Sequence, residues 1–198
     1  MRQKLMVTAL FVLIGSATGL CSDMEIEEKV EALLSKMTLE EKVGQMRQIT
    51  GYGRLPFVLK AIRAGQLGSL LNAGSPEDLK TIQRVALNES PNGIPLIIGR
   101  DVIHGFRTIF PIPLGQASSW NRDLIKKGAE VAAREASEVG INWTFAPMVD
   151  ISRDARWGRV MEGAGEDPYL GSLVAAARVN GFQGDDLASP FTIAASAK

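Results

Sequence analysis

The chain has 198 residues, of which 45% are hydrophobic and 22% are charged, and its 22 basic residues balance 22 acidic ones. This length and composition are typical of a globular protein with one hydrophobic core, and a neutral chain without a basic stripe is not expected to bind nucleic acid. A single histidine and a single cysteine, far apart in the sequence, argue against the common His/Cys metal sites and exclude an internal disulfide. We therefore expect no bound metal.

Residues 1–19 have the pattern of a secretory signal peptide. Arg2 and Lys4 give a positive start, residues 5–14 are mostly apolar, and residues 15–19 are small. The apolar run is too short for a lasting membrane span. We expect cleavage near the end of this segment and export of the protein, with a core helix as the alternative.

Cys21 raises the alternative of a lipid anchor. A lipidation box needs an aliphatic residue three positions before the cysteine and a small residue just before it. Thr18 and Leu20 occupy these positions and fit the box poorly. Export without a lipid anchor is therefore the main expectation.

The rest of the chain alternates between helix and strand patterns. Helices are predicted over residues 24–37, from Thr38, over 56–64, from Ser75 to the break at 91–93, over 121–139 and over 167–181. Strands are predicted over residues 45–50, 67–71, 94–99, 141–146 and 191–197. Such alternation predicts an α/β fold of parallel β/α units, with polar residues after the strands.

The number of predicted strands bears on how complete the fold is. A full eight-fold barrel takes about 250 residues, whereas this chain offers about five strands and stops on the last one. We expect an incomplete (β/α)8 TIM-like barrel, the N-terminal fragment of a longer protein. Periodicity alone leaves an open doubly wound sheet as the alternative.

The loop over residues 146–159 concentrates functional side chains. It follows a predicted strand and contains three arginines, two aspartates and a tryptophan. A polyol pocket needs this mixture, because carboxylates accept bonds from hydroxyls and guanidinium groups donate to oxygens. The alternative is an ion network in which Arg153, Arg156, Asp150 and Asp154 brace the loop.

Four motifs occur in a fixed order along the chain. They are MTLEEKVGQM at 37–46, GRDVIHG at 99–105, RDARWGR with EDP at 153–168, and AASAK at 194–198. Together they resemble glycoside hydrolase family 3, and most of all its periplasmic bacterial β-glucosidases. The resemblance implies the barrel rather than the open sheet, a periplasmic location, and residues 24–198 as the N-terminal part of the barrel domain.

The resemblance also implies an activity. It predicts a retaining exo-β-glucosidase, a glycosidase that hydrolyses terminal non-reducing β-D-glucosyl residues of β-glucosides or oligosaccharides without a cofactor. Within the family a β-xylosidase or an exo-β-glucanase is the alternative. Outside it the alternatives are a non-catalytic sugar-binding protein and an unrelated barrel enzyme, such as an aldolase or isomerase. No feature predicts an oligomeric state.

The resemblance assigns neither catalytic carboxylate to this chain, because the family's nucleophile and acid/base lie in regions expected beyond Lys198. It assigns sugar contacts to Asp101, Arg159 and Lys198, the last without the family's following histidine, and some branches place another contact at Arg107. The alternatives are a strand-end cap for Asp101 and a loop-bracing ion pair for Arg159. His104 is expected to be a hydrogen-bonded structural residue. The chain alone is expected to be inactive.

Overall fold

The computed structural model describes residues 24–198. The predicted signal peptide and Cys21 lie outside these residues. Its helices, in chain order, are α1 (24–34), α2 (Leu39–Gln45), α3 (Leu55–Arg63), α4 (Pro76–Glu89), α5 (Pro113–Ala117), α6 (Arg122–Ser137) and α7 (Pro168–Gln183). Its strands are β1 (Gln48–Thr50), β2 (Ser69–Leu71), β3 (Ile97–Arg100), β4 (Trp143–Thr144) and β5 (Ala194–Ala195), and a 3-10 turn spans Val160–Glu162.

The five strands form one parallel sheet in the order β1-β2-β3-β4-β5. Every neighbour in the sheet is therefore the next strand along the chain, as in the wall of a barrel. Ile98 pairs with Leu70, and Trp143 pairs with Gly99 and Ala194. Strands β1 and β5 are the two edges, so the barrel is not closed within residues 24–198. The predicted incomplete barrel of about five strands is confirmed.

The helices cover one face of this sheet and form the core with it. Helix α3 packs against α4, and α6 packs against α7. The largest fully buried aliphatic and aromatic side chains are Phe182, Ile62, Leu70, Ile82, Ile98, Ile193, Val58, Val85 and Val102. Burial of each such side chain stabilises the fold by about 1.5–3 kcal/mol. The core therefore fixes the sheet against its helices and holds the strand ends in place.

Local cap chemistry explains where several helices begin. Thr38 and Ser75 each accept a bond from the backbone N–H three residues on and complete a capping box with the carboxylate there. Asn121 caps α6 through the Leu124 N–H, and Asp167 caps α7 through the Tyr169 N–H. These starts agree with the predicted ones.

Helix α7 runs past its predicted end at Gly181. A Cβ atom at Gly181 would lie 2.5 Å from the Lys126 carbonyl oxygen and 2.6 Å from the Ala129 Cβ, both in α6. The glycine therefore serves close packing of two helices, not helix termination, and α7 continues to Gln183.

Several apolar side chains of these elements are exposed within residues 24–198. The apolar stripe of α1, which includes Ile26, Val30 and Leu33, is 40–54% exposed. Strand β3 is not covered on both faces, because Ile97 is 52% exposed while its neighbour Ile98 is buried under the helices. Leu124, in the first turn of α6, is 62% exposed. Within residues 24–198, no helix combines the length and the apolar character that crossing a membrane requires.

Candidate sugar-binding site

Three of the predicted sugar-binding residues follow three adjacent strands. Asp101 directly follows β3, Arg159 lies in the long loop after β4, and Lys198 lies three residues after β5. The strands are parallel and adjacent, so their carboxyl ends meet at one edge of the sheet. This edge is the face on which barrels of this kind carry their sites.

Asp101 and Lys198 are in direct contact. The Lys198 Nζ lies 3.3 Å from the Asp101 Oδ1, and the two side chains are 49% and 31% exposed for Asp101 and Lys198 respectively. The Lys198 backbone is fixed, because its N–H donates to the Pro147 carbonyl at 3.0 Å and its carbonyl accepts from Val149 at 2.7 Å. A carboxylate and an ammonium group thus sit side by side, both open to a ligand.

The side chain of Arg159 is held by Glu162, and the charge of Asp101 affects its pKa. Its Nε and Nη2 donate to the two Glu162 carboxylate oxygens at 2.8 and 2.7 Å. This hydrogen-bonded pair raises the pKa of Arg159, and the negative charges of Asp150 and Asp101 raise it further. The same pair lowers the pKa of Glu162, with a contribution from the positive charge of Lys198. Asp101 and Lys198 form one ion pair and Arg159 and Glu162 another, and the charges of the first pair affect the pKa values of the second. We call these four residues the charged cluster.

The loop after β4 also contains a second acid–arginine pair, formed by neighbours in the sequence. Asp154 accepts from the Arg156 Nε at 3.0 Å and from its backbone N–H at 2.9 Å. These bonds lower the pKa of Asp154. The Arg156 side chain is 90% exposed. The bracing interpretation is therefore confirmed for Asp154 and Arg156, whereas the side chain of Arg153 makes no hydrogen bond or ion pair with any described residue.

Arg107 lies elsewhere. Its backbone N–H donates to the Glu135 Oε2 at 2.8 Å, and it lines a cavity together with Ala73 and Phe106. Among residues 24–198 no hydrogen bond or ion pair joins its side chain to Asp101. Its predicted sugar contact stays a prediction and is not part of the cluster.

His104 has a structural environment. Its Nδ1 lies 2.9 Å from the Phe110 carbonyl oxygen, which only accepts, so Nδ1 carries the proton. The backbone N–H of Phe110 donates back to the His104 carbonyl at 2.8 Å. The residue therefore fixes the loop after β3, as expected. Within the described part of the chain, no group of His, Cys, Asp and Glu side chains has an arrangement suited to a metal ion.

Sequence reasoning missed Glu162 and the part played by Asp150. A usable signal for Glu162 was present, since it lies three residues after Arg159, the spacing that a single helical turn brings together. No comparable local signal marks Asp150, whose proximity to Arg159 depends on how the whole loop folds.

Comparison with known proteins identifies the family of the chain. The glycosyl hydrolase family 3 N terminal domain matches residues 38–198. The chain belongs to glycoside hydrolase family 3. A periplasmic beta-glucosidase of Salmonella typhimurium is 43% identical over 171 residues, which cover 85% of this chain and 22% of the relative.

Other members of the family are similar to a comparable part of this chain. A beta-xylosidase of Formosa agariphila is 35% identical over 82% of this chain and 19% of its own length. The beta-glucosidase of Listeria innocua, solved with isofagomine, has a TM-score of 0.78 and 41% identity, covering 86% of this chain and 25% of that protein. A second structure of that enzyme, with glucose, also has a TM-score of 0.78. The chain thus spans about a fifth to a quarter of these relatives.

Proposed function

We propose that this chain is the N-terminal part of the barrel of a retaining exo-β-glucosidase, and that it binds the terminal non-reducing glucosyl unit. The observation that carries the proposal is the contact between Asp101 and Lys198, and it is supported by the positions of Asp101, Arg159 and Lys198 after the adjacent strands β3, β4 and β5. We call the whole protein of which the chain would be a part the complete enzyme. Its catalytic nucleophile and acid/base would lie in the portion that this chain does not span.

The chemistry of the cluster suits a pyranose. The Asp101 carboxylate has lone pairs for two neighbouring hydroxyl groups, because Lys198 donates to its Oδ1 alone. Lys198 has further N–H bonds to donate to hydroxyl oxygens, and Arg159 keeps N–H groups beyond the two that Glu162 accepts. The three side chains thus offer both donors and acceptors, as neighbouring sugar hydroxyls require.

The site would act mainly by placing the glucosyl ring for attack. Retaining glycosidases use a carboxylate nucleophile to form a covalent glycosyl-enzyme, which water then hydrolyses with help from a second carboxyl group. Hydrogen bonds to the ring hydroxyls hold the anomeric carbon in line with the nucleophile, and such positioning supplies a large part of the rate. This reaction needs no cofactor.

Substrate choice and location complete the proposal. Glucosidase relatives favour a β-glucoside or a β-linked oligosaccharide, while the xylosidase relative makes a β-xyloside the second candidate. Residues 1–19 would be a signal peptide that directs export to the periplasm, and the periplasmic relative supports this location. Residues 24–198 would be the first part of the barrel domain.

The test is release of nitrophenol from p-nitrophenyl β-glucoside by the complete enzyme, beside the matching β-xyloside and α-glucoside. We expect release from the β-glucoside, slower release from the β-xyloside and none from the α-glucoside. A folded complete enzyme that releases no nitrophenol, but binds glucose, would indicate a non-catalytic sugar-binding protein instead. Faster release from the β-xyloside would transfer the assignment to a β-xylosidase.

A further inference from the structure

Glu162 has a contact pattern that the sugar-binding residues do not share. It lies in the 3-10 turn Val160–Glu162, whose backbone N–H donates to the Arg159 carbonyl at 3.0 Å. Side chains three residues apart in such a turn lie on the same side. The turn therefore places the Glu162 carboxylate beside the Arg159 guanidinium group, and both of its oxygens accept an N–H from that group.

The two partners differ in how exposed they are to solvent. The Arg159 side chain is 48% exposed, whereas that of Glu162 is 21% exposed. A guanidinium group has five N–H donors in a rigid plane. Glu162 accepts two of them, one on Nε and one on Nη2, which leaves three for a ligand. Glu162 is thus the more buried partner of the pair, and Arg159 is the one accessible to a ligand.

The fixed plane matters because arginine is a long side chain. Holding it in one conformation costs rotamer entropy. The bidentate pair with Glu162 already holds the Arg159 side chain in one conformation, so less entropy is lost when a sugar binds. Its carboxylate also stays ionised at neutral pH, because the hydrogen-bonded arginine lowers its pKa, so it is not suited to act as a proton donor.

We propose that Glu162 is the positioning residue that orients Arg159 toward the space beside Asp101 and Lys198. This inference deepens the proposed function and rests on it. Glu162 itself would not contact the sugar. Removing it would leave a mobile guanidinium group and weaken every interaction that Arg159 makes with the glucosyl ring.

The test is a double-mutant cycle in the complete enzyme with p-nitrophenyl β-glucoside. We expect Glu162→Ala to lower kcat/KM by roughly tenfold to a hundredfold, the scale on which misplacement of a binding group acts. On an Arg159→Ala background the same change should alter kcat/KM less than twofold. Glu162→Gln, which keeps the shape and one acceptor oxygen, should recover part of the loss and serves if Glu162→Ala fails to fold.

The same loop provides a matched control. Asp154→Ala removes the other acid–arginine pair of the loop without touching Arg159 and should leave kcat/KM within about twofold of the wild type. Equal losses in Asp154→Ala and Glu162→Ala would overturn the proposal, as would a Glu162 effect that persists without Arg159. If the wild type is inactive but binds glucose, titration of glucose into the same variants makes the same test. A wild type that neither hydrolyses nor binds would overturn the proposed function together with this inference.

Discussion

Arg178 is a buried charge in α7 without a counter-charge, and its replacement by methionine is expected to stabilise the protein. The residue is 3% exposed, and its guanidinium group makes no hydrogen bond or ion pair with any described residue. Burial alone lowers its pKa to about 10. A buried charge of this kind costs stability unless a partner compensates it.

The size of the effect follows from that pKa. A fall from the ordinary arginine value to about 10 corresponds to roughly 3 kcal/mol of cost at neutral pH. Methionine keeps the unbranched, apolar part of the side chain. It loses the contact between the guanidinium group and the Phe182 ring, 5.8 Å apart, which is worth about 2 kcal/mol at a buried site. We expect Arg178→Met to stabilise the protein by roughly 1 kcal/mol.

The pH dependence gives the prediction a sign. A cation with a lowered pKa destabilises the folded state fully below that pKa, and the cost fades as pH rises through about 10. The gap between Arg178→Met and the wild type should therefore be constant near neutral pH and narrow in strong alkali. The measurement is the melting temperature of the complete enzyme, with amide hydrogen exchange of α7 as the local readout.

Arg134→Met is the matched control. Arg134 also lies over an aromatic ring, that of Phe191 at 4.6 Å, but its side chain is 63% exposed. Its replacement should lower stability by up to about 1 kcal/mol, because the exposed contact with the ring is lost and no buried charge is removed. If Arg178→Met melts below the wild type, the guanidinium group has a stabilising partner and the reasoning is refuted.

Three further predictions concern the site, the packing and the loop after β3. Asp101→Ala should lower kcat/KM by on the order of a hundredfold or more, because bonds to a charged group are worth about 1.5–3 kcal/mol each; a change under threefold in steady-state kinetics would contradict its role. Gly68→Ala should destabilise the protein, since its Cβ would lie 2.0 Å from the Gln45 carbonyl oxygen. An unchanged melting temperature would contradict this close contact between the two backbone segments. The hydrogen bond from Thr108 lowers the pKa of Glu135. The stability that ionised Glu135 contributes is therefore present at pH above the ordinary glutamate pKa, and it is lost as the pH falls through the lowered pKa. Thr108→Val should raise that pKa in an NMR titration, and an unmoved titration would contradict the contact.

The elements that could be predicted from the sequence are those whose signals are local. The helix starts at Thr38 and Ser75 follow from cap chemistry within four residues, and the agreement with the structure is good. The alternation of strands and helices follows from periodicity. The sequential order of the sheet is expected from the family resemblance, because the same alternation also fits a doubly wound sheet. The strand-end positions of Asp101 and Lys198 follow in turn, because both come directly after predicted strands.

The features that could not be predicted depend on distant parts of the chain. Strand β4 is two residues long rather than six, because pairing is decided by the register of neighbouring strands. The exposure of Ile97 depends on what faces the inner side of the sheet. Arg178 lies on the same helical face as Val174 and Phe182, which are four residues away on either side, so its place on an apolar stripe could be predicted. Its burial could not, because arginine side chains are almost never fully buried without a partner.

The central claim is that Asp101, Arg159 and Lys198 bind one glucosyl ring. A crystal structure of the complete enzyme with bound glucose tests it most directly. We expect the carboxylate, the guanidinium group and the ammonium group to lie about 2.7–3.2 Å from hydroxyl oxygens of a single sugar, with Glu162 still paired to Arg159. Glucose bound at a place where it contacts none of the three side chains would contradict the claim.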